Sequence, residues 1–171
     1  GELLQFEARY EWFPQIGASY HVAADGISLT MLLLTGILTP LAILASFKIE
    51  EKTRMYMVLF LILQAAALGL FVSMDLIIFF IFWEFGLVPM YFLIRLWGGK
   101  DRKYASLKFI IYTMAGSLGL LLAVQVIGLS MGTFDIPTLY NEWVNLPADG
   151  TLPNTGLSVN TVKWLAFWAF V

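Results

Sequence analysis

Long runs without a charged residue dominate the pattern of this chain. No charge interrupts residues 27–47, 55–74 or 109–134. At about 1.5 Å of rise per residue, each run is long enough to cross a hydrocarbon core of roughly 30 Å as a helix. Leu76 to Trp97 (LIIFFIFWEFGLVPMYFLIRLW) reads as a further crossing, although Glu84 stands in its middle. The pattern predicts helices at about 27–47, 55–74, 76–97 and 104–131, with another starting at 162–171, where WLAFWAFV breaks off. Residues 1–26 and 132–161 are read as loops at one membrane face. The fold class expected is an all-α, polytopic transmembrane bundle of four full crossings plus the start of a fifth, forming one domain segment.

Composition agrees, with 60% hydrophobic residues against 13% charged, the charges lying in clusters. The chain opens on Gly1 and stops at Val171 within an apolar run, so an internal segment of a longer membrane protein is expected. The lack of cysteine excludes disulfides and thiolate metal or iron-sulfur ligation within these residues. A net charge of -2 argues against a nucleic-acid partner.

Cation placement gives an orientation. Lys48, Lys52, Arg54, Arg95, Lys100, Arg102, Lys103 and Lys108 share one face, leaving Arg9 and Lys163 for the other. By the positive-inside rule the first face is cytoplasmic or its equivalent, so the helix of Glu84 runs inward. Asp25 is placed to cap the first helix, and Asp135 to start a short interfacial helix with Leu139 and Trp143 toward the lipid. An irregular loop with an aromatic anchor is the other reading of that stretch. Ala65, Ala66, Ala67, Gly69, Ala115, Gly116 and Gly119 suit close helix packing.

Glu84 is the principal candidate for chemistry. A carboxylate at mid-membrane costs about 3 kcal/mol on insertion scales, and intramembrane ionisable groups are functional by default. Pro89, five residues on, has no N–H to give, so the Phe85 carbonyl loses its helical partner beside the carboxyl. Burial disfavours a charged carboxylate and a nearby cation favours it, so a group between those influences can load and release a proton as its partner moves. The competing reading is a protonated Glu84 that hydrogen-bonds a neighbouring helix.

Lys108 is the second candidate, either snorkelling to the headgroups or taking part in proton uptake. Tyr112 lies one turn deeper on roughly the same face, and Thr113 and Ser117 extend the polar positions inward. Gln64 and Gln125 add weaker polar positions. His21, in the first outer loop, is either a solvated side chain or part of an exit path.

FFIFWEFGLVPMYFLIRLWGG followed by KDRKYASLKFIIYT resembles the M subunit (mitochondrial chain 4) family of NADH:quinone oxidoreductase, respiratory complex I. YEWFPQIGASYHVAADGISLTMLLLTGILTPLAILAS is similar to the loop and third transmembrane helix of that family. The resemblance spans roughly residues 10–113; Thr133 to Asn160 lie outside it. It implies an antiporter-like, proton-translocating subunit whose third to sixth helices, and the start of the seventh, are represented here. Glu84 then matches a fifth-helix glutamate that pairs with a seventh-helix lysine beyond Val171, Lys163 being too early to serve. Lys108 matches a lysine at the start of the sixth helix. The resemblance also implies an enzyme-complex subunit without a redox centre, in a bacterial inner membrane or equivalent. NADH, flavin, iron-sulfur clusters and quinone would belong to partner subunits, and its other partners would be membrane-arm subunits and the bilayer. A multisubunit cation/proton antiporter and a ferredoxin-linked quinone oxidoreductase are the alternatives, and a purely structural bundle a third.

Overall fold

The computed structural model describes residues 4–147 and 150–170. Its elements in chain order are strand β1 (Gln5–Phe13), a 3-10 turn (Pro14–Ile16), strand β2 (Ala18–Ala24) and helices α1 (Gly26–Ala45), α2 (Thr53–Val72), α3 (Leu76–Trp97), α4 (Arg102–Met131), α5 (Ile136–Val144) and α6 (Val159–Phe170). The first four helices have the length and composition to cross a membrane. Short polar turns join α1 to α2 and α3 to α4 at one end of the bundle, and the helices pack in chain order, α1 on α2, α2 on α3 and α3 on α4, with α6 against α4.

Helix starts follow local chemistry. The Asp25 carboxylate accepts the Ser28 N–H at 2.6 Å, a bond that holds its pKa below the usual 3.8. Asp75 accepts the Ile77 N–H at 2.9 Å, and Asp135 accepts that of Thr138 at 3.0 Å. A capping side chain of this kind contributes about 1 kcal/mol. Close packing of α3 on α2 depends on Gly69, where a Cβ would overlap the Phe82 ring.

Within residues 1–26, read as an outer loop, the described residues form regular structure; residues 1–3 lie outside those described. β1 and β2 form an antiparallel hairpin with Arg9 opposite His21, and register shifts interrupt it between Gln5 and Ala8 and between Glu11 and Phe13. The hairpin lies over the outer ends of the helices. The Met74 N–H donates to the His21 carbonyl at 2.9 Å, Phe134 N–H to Gly17 at 3.2 Å, and Leu76 N–H to Phe134 at 2.9 Å. Single bridges pair Val22 with Ser73 and Asp75 with Asp135. Backbone ends that open water would otherwise satisfy are thus tied into one outer cap. Gly17 makes this possible: its φ of +72° is open to glycine, and a Cβ there would strike the Gly132 carbonyl.

The direction of α5 also departs from expectation. Leu139 and Trp143 turn into the protein instead of the lipid: Leu139 is buried with Met131, Leu152, Val159 and Val162, and Trp143 packs against that cluster. An apolar stripe on a short helix serves a protein core as well as a bilayer, and here the chain from Leu152 to Val162 covers it.

Candidate functional site

Glu84 is eight residues, about 12 Å, inward of the start of α3. Phe82 and Gly86, two positions to either side, face α2, Phe82 against Gly69 and Gly86 against Ala66 and Leu63. Positions two apart are about 200° apart around a helix. Glu84 therefore projects on the side of α3 away from α2. Its Oε1 is buried, and no described residue hydrogen-bonds it. Pro89 is fully buried within the same helix. A buried carboxyl oxygen and a backbone carbonyl freed by proline thus occur on neighbouring residues of one span.

The polar positions of α4 divide between two faces. Lys108 is exposed, its Nζ standing 5.9 Å from the centre of the Tyr104 ring and 5.7 Å from that of Tyr112. Tyr112 is 70% exposed. Thr113 and Ser117 turn the other way and line, with Phe79, Trp83 and Trp168, a cavity of about 690 Å³ between α3, α4 and α6. Their hydroxyls donate within α4, Thr113 to the Phe109 carbonyl at 2.7 Å and Ser117 to that of Met114 at 3.0 Å. Among the described residues no ion pair joins Glu84 to Lys108. Gln64 is half-buried and Gln125 exposed.

One feature escaped the sequence reading. Tyr91 and Arg95 follow Glu84 at seven and eleven positions, nearly the same face of α3. The Arg95 guanidinium turns back into the span and donates to the Tyr91 hydroxyl at 2.9 Å. That spacing was the available signal.

His21, read from sequence as either a solvated side chain or part of an exit path, is 2% exposed, so it is not solvated. Its Nδ1 meets Asp135 Oδ1 at 2.5 Å, while Nε2 stands 3.0 Å from Glu7 Oε1 without hydrogen-bond geometry. Burial alone would raise the Asp135 pKa. Hydrogen bonds from Thr138 and His21, with the Arg9 guanidinium 3.9 Å away, outweigh it and hold the group below 3.8. Asp75, beside it, accepts the Ser19 N–H at 2.9 Å. Among the described residues no three His, Asp or Glu side chains are placed to hold a metal ion.

Residues 73–170 match the family profile described as NADH:quinone oxidoreductase/Mrp antiporter, transmembrane. The chain belongs to this family. Residues 6–72 match a second profile, the amino terminus of NADH-ubiquinone oxidoreductase chain 4. An NAD(P)H-quinone oxidoreductase chain 4 of Trichormus variabilis is 47% identical over 137 residues, 79% of this chain and 26% of that protein. NADH-quinone oxidoreductase subunit M of Rhodobacter capsulatus is 40% identical over 169 residues, 97% of this chain and 32% of that protein. The chain thus spans about a quarter to a third of the length of these relatives. Among solved structures, the Mrp complex from Dietzia sp. matches 99% of this chain and 18% of its own at a TM-score of 0.76 and 21% identity. Respiratory complex I from Thermus thermophilus matches 96% of this chain and 32% of its own at 0.68 and 23%. At those identities the likeness establishes the fold alone; the family match and the four apolar helices make the chain an integral, multi-pass membrane protein.

Proposed function

We propose that the chain is part of the proton-translocating subunit M of an NADH:quinone oxidoreductase and that Glu84 is its titrating group. One observation carries the reading: a buried carboxyl oxygen with no hydrogen-bond partner, next to a proline-freed carbonyl, in the middle of a membrane span of this family. A lysine on a later helix supplies the missing partner. With that cation close the carboxylate is stabilised; when the cation withdraws, the carboxyl in its low-dielectric surroundings takes up a proton or passes the charge imbalance on. Lys108 and Tyr112 serve the cytoplasmic side of the path. This chain contributes no redox centre, and NADH, flavin, iron-sulfur clusters and quinone are handled by partner subunits of a complex in the bacterial inner membrane or its equivalent.

The test is Glu84→Gln in the full-length subunit within its complex. The expected result is normal insertion and assembly with proton pumping and coupled quinone reduction nearly abolished. Wild-type pumping in assembled variant membranes would refute the assignment. A multisubunit cation/proton antiporter is the second reading, supported by the Mrp fold match and by the family description. It predicts sodium-dependent transport in the absence of NADH oxidation. A ferredoxin-linked quinone oxidoreductase shares the membrane machinery and is distinguished by supplying reduced ferredoxin instead of NADH.

A further inference from the structure

The ends of α2, α3 and α4 away from the hairpin carry a second cluster of charged residues, more than two turns of α3 beyond Glu84. The turn before α2 and the turn between α3 and α4 converge on a cavity of about 180 Å³ lined by Lys52, Arg95, Arg102 and Lys103, with Trp97 and Glu51. Four cations thus face one acid. Among the described residues, no carboxylate forms an ion pair with any of the four cations.

The cavity is also held in shape. The Trp97 indole N–H donates to the Glu51 carbonyl at 2.8 Å, joining the two turns, and the Tyr56 ring meets Trp97 edge-on at 5.1 Å. Arg102 donates from one guanidinium nitrogen to the Leu96 carbonyl at 2.6 Å, and Gly98 leaves room for that approach because a Cβ there would press on Arg102 and the Ile94 carbonyl. Lys52 has a left-handed backbone, φ 50° and ψ 39°, a conformation that few residues other than glycine adopt. Such a residue persists where its surroundings impose it, often at ligand-holding positions. The chain accepts an unfavourable backbone here and so adds a further cation to an already repulsive group.

Lys52 and Lys103, with the guanidinium donors that Arg102 and Arg95 do not spend on Leu96 and Tyr91, fit a phosphate group, whose oxygens guanidinium groups suit. The position decides the source of that phosphate. The cations lie at the ends of membrane-crossing helices on the positive face, beside an interfacial tryptophan, where anionic headgroups concentrate and basic pockets between helices bind them. We infer that Lys52, Arg95, Arg102 and Lys103 form a binding site for the phosphodiester headgroup of an anionic phospholipid. This rests on the membrane placement alone and stands or falls independently of proton translocation.

The test uses the full-length subunit in its complex, delipidated in a neutral detergent. It is titrated with phosphatidylglycerol, phosphatidylcholine or inorganic phosphate, and bound lipid is counted by native mass spectrometry. Wild type should hold one more phosphatidylglycerol per subunit than a Lys52→Asn, Lys103→Gln variant at equal lipid. Each neutralised cation should weaken that binding by about fivefold, and phosphatidylcholine should not occupy the site. Asparagine tolerates the left-handed backbone, so Lys52→Asn should leave the delipidated complex at least as heat-stable as wild type while lowering lipid retention. Equal phosphatidylglycerol counts in wild type and variant would overturn the site. Equal occupancy by phosphatidylcholine would overturn recognition by charge. Displacement of the lipid by millimolar inorganic phosphate would overturn the lipid as ligand in favour of a soluble phosphate.

Discussion

The outer cap and the interior of α3 treat buried carboxyl groups in opposite ways. Asp75 and Asp135 are almost completely buried, yet each accepts several hydrogen bonds, from Ser19 and Ile77 in one case and from His21 and Thr138 in the other. Glu84, in far less polar surroundings, keeps an oxygen that no described residue satisfies. Leaving a buried polar group unpaired costs about 1–3 kcal/mol, so a carboxyl kept only for stability would be replaced or partnered. The cap shows what structural carboxylates look like in this chain. Glu84 does not conform to that pattern, and the difference is what the proposed proton-translocating role would account for.

Glu84→Leu separates the two kinds of carboxyl by the largest margin. Removing the carboxyl eliminates an oxygen that no described residue satisfies but leaves the proposed lysine partner without its counter-charge, so thermal stability of the assembled complex should not rise, while proton pumping falls to background. Fluorescence-monitored unfolding and a proton-uptake assay on the same vesicles check both. Intact pumping would place Glu84 with the structural groups.

Asp135→Ala should behave in reverse. It strips a cap from α5 and leaves His21 Nδ1 without its acceptor, so the cap should lose about 3 kcal/mol, as when one member of a buried pair is deleted. Residual pumping per assembled complex should change little. Hydrogen exchange at the hairpin amides reads the loss directly, and unchanged protection would mean that the cap is held by its backbone bonds alone.

Acid should erode the same contact more gently. The Asp135 pKa is lower in the folded protein than the ordinary 3.8. Its contribution is therefore fully present above that value and is lost as pH falls through the folded-state value. Asp135→Asn keeps a capping side chain but no charge. Wild type should thus be the more heat-stable at neutral pH, with the gap closing below about pH 4. A gap independent of pH would show that the charge contributes nothing.

The contrast also explains what could be read from sequence. The four spans and the capping roles of Asp25 and Asp135 follow from local pattern, because apolar runs and helix starts are decided within a few residues. Glu84 was visible as a charge in an apolar run. The hairpin is legible too: QFEARYEWF alternates polar Gln5, Glu7, Arg9 and Glu11 with apolar Phe6, Ala8, Tyr10 and Trp12, a strand period that the reading of these residues as a polar loop leaves unused. His21 looked solvated because its acceptor, Asp135, is 114 residues away. Leu139 and Trp143 were assigned to lipid because an apolar face does not tell which apolar surroundings will cover it. Lys52 and Arg102 read as topology signals, and only folding brings them to one cavity.

The smallest effect is expected at Lys108, which lies between the two cases. Its ammonium stacks between the Tyr104 and Tyr112 rings in place of a carboxylate, contacts worth about 0.5–1 kcal/mol each at an exposed position. It therefore resembles the cap in being partnered and Glu84 in lying on a membrane helix. If it gathers protons at the cytoplasmic entrance, Lys108→Ala should slow pumping by up to about tenfold, equivalent to about 1.4 kcal/mol in the barrier, and Lys108→Arg should restore little because arginine does not release its proton. If it only anchors α4 at the headgroups, both variants should pump at the wild-type rate. Pumping rates for the two variants, normalised to assembled complex, decide between those outcomes.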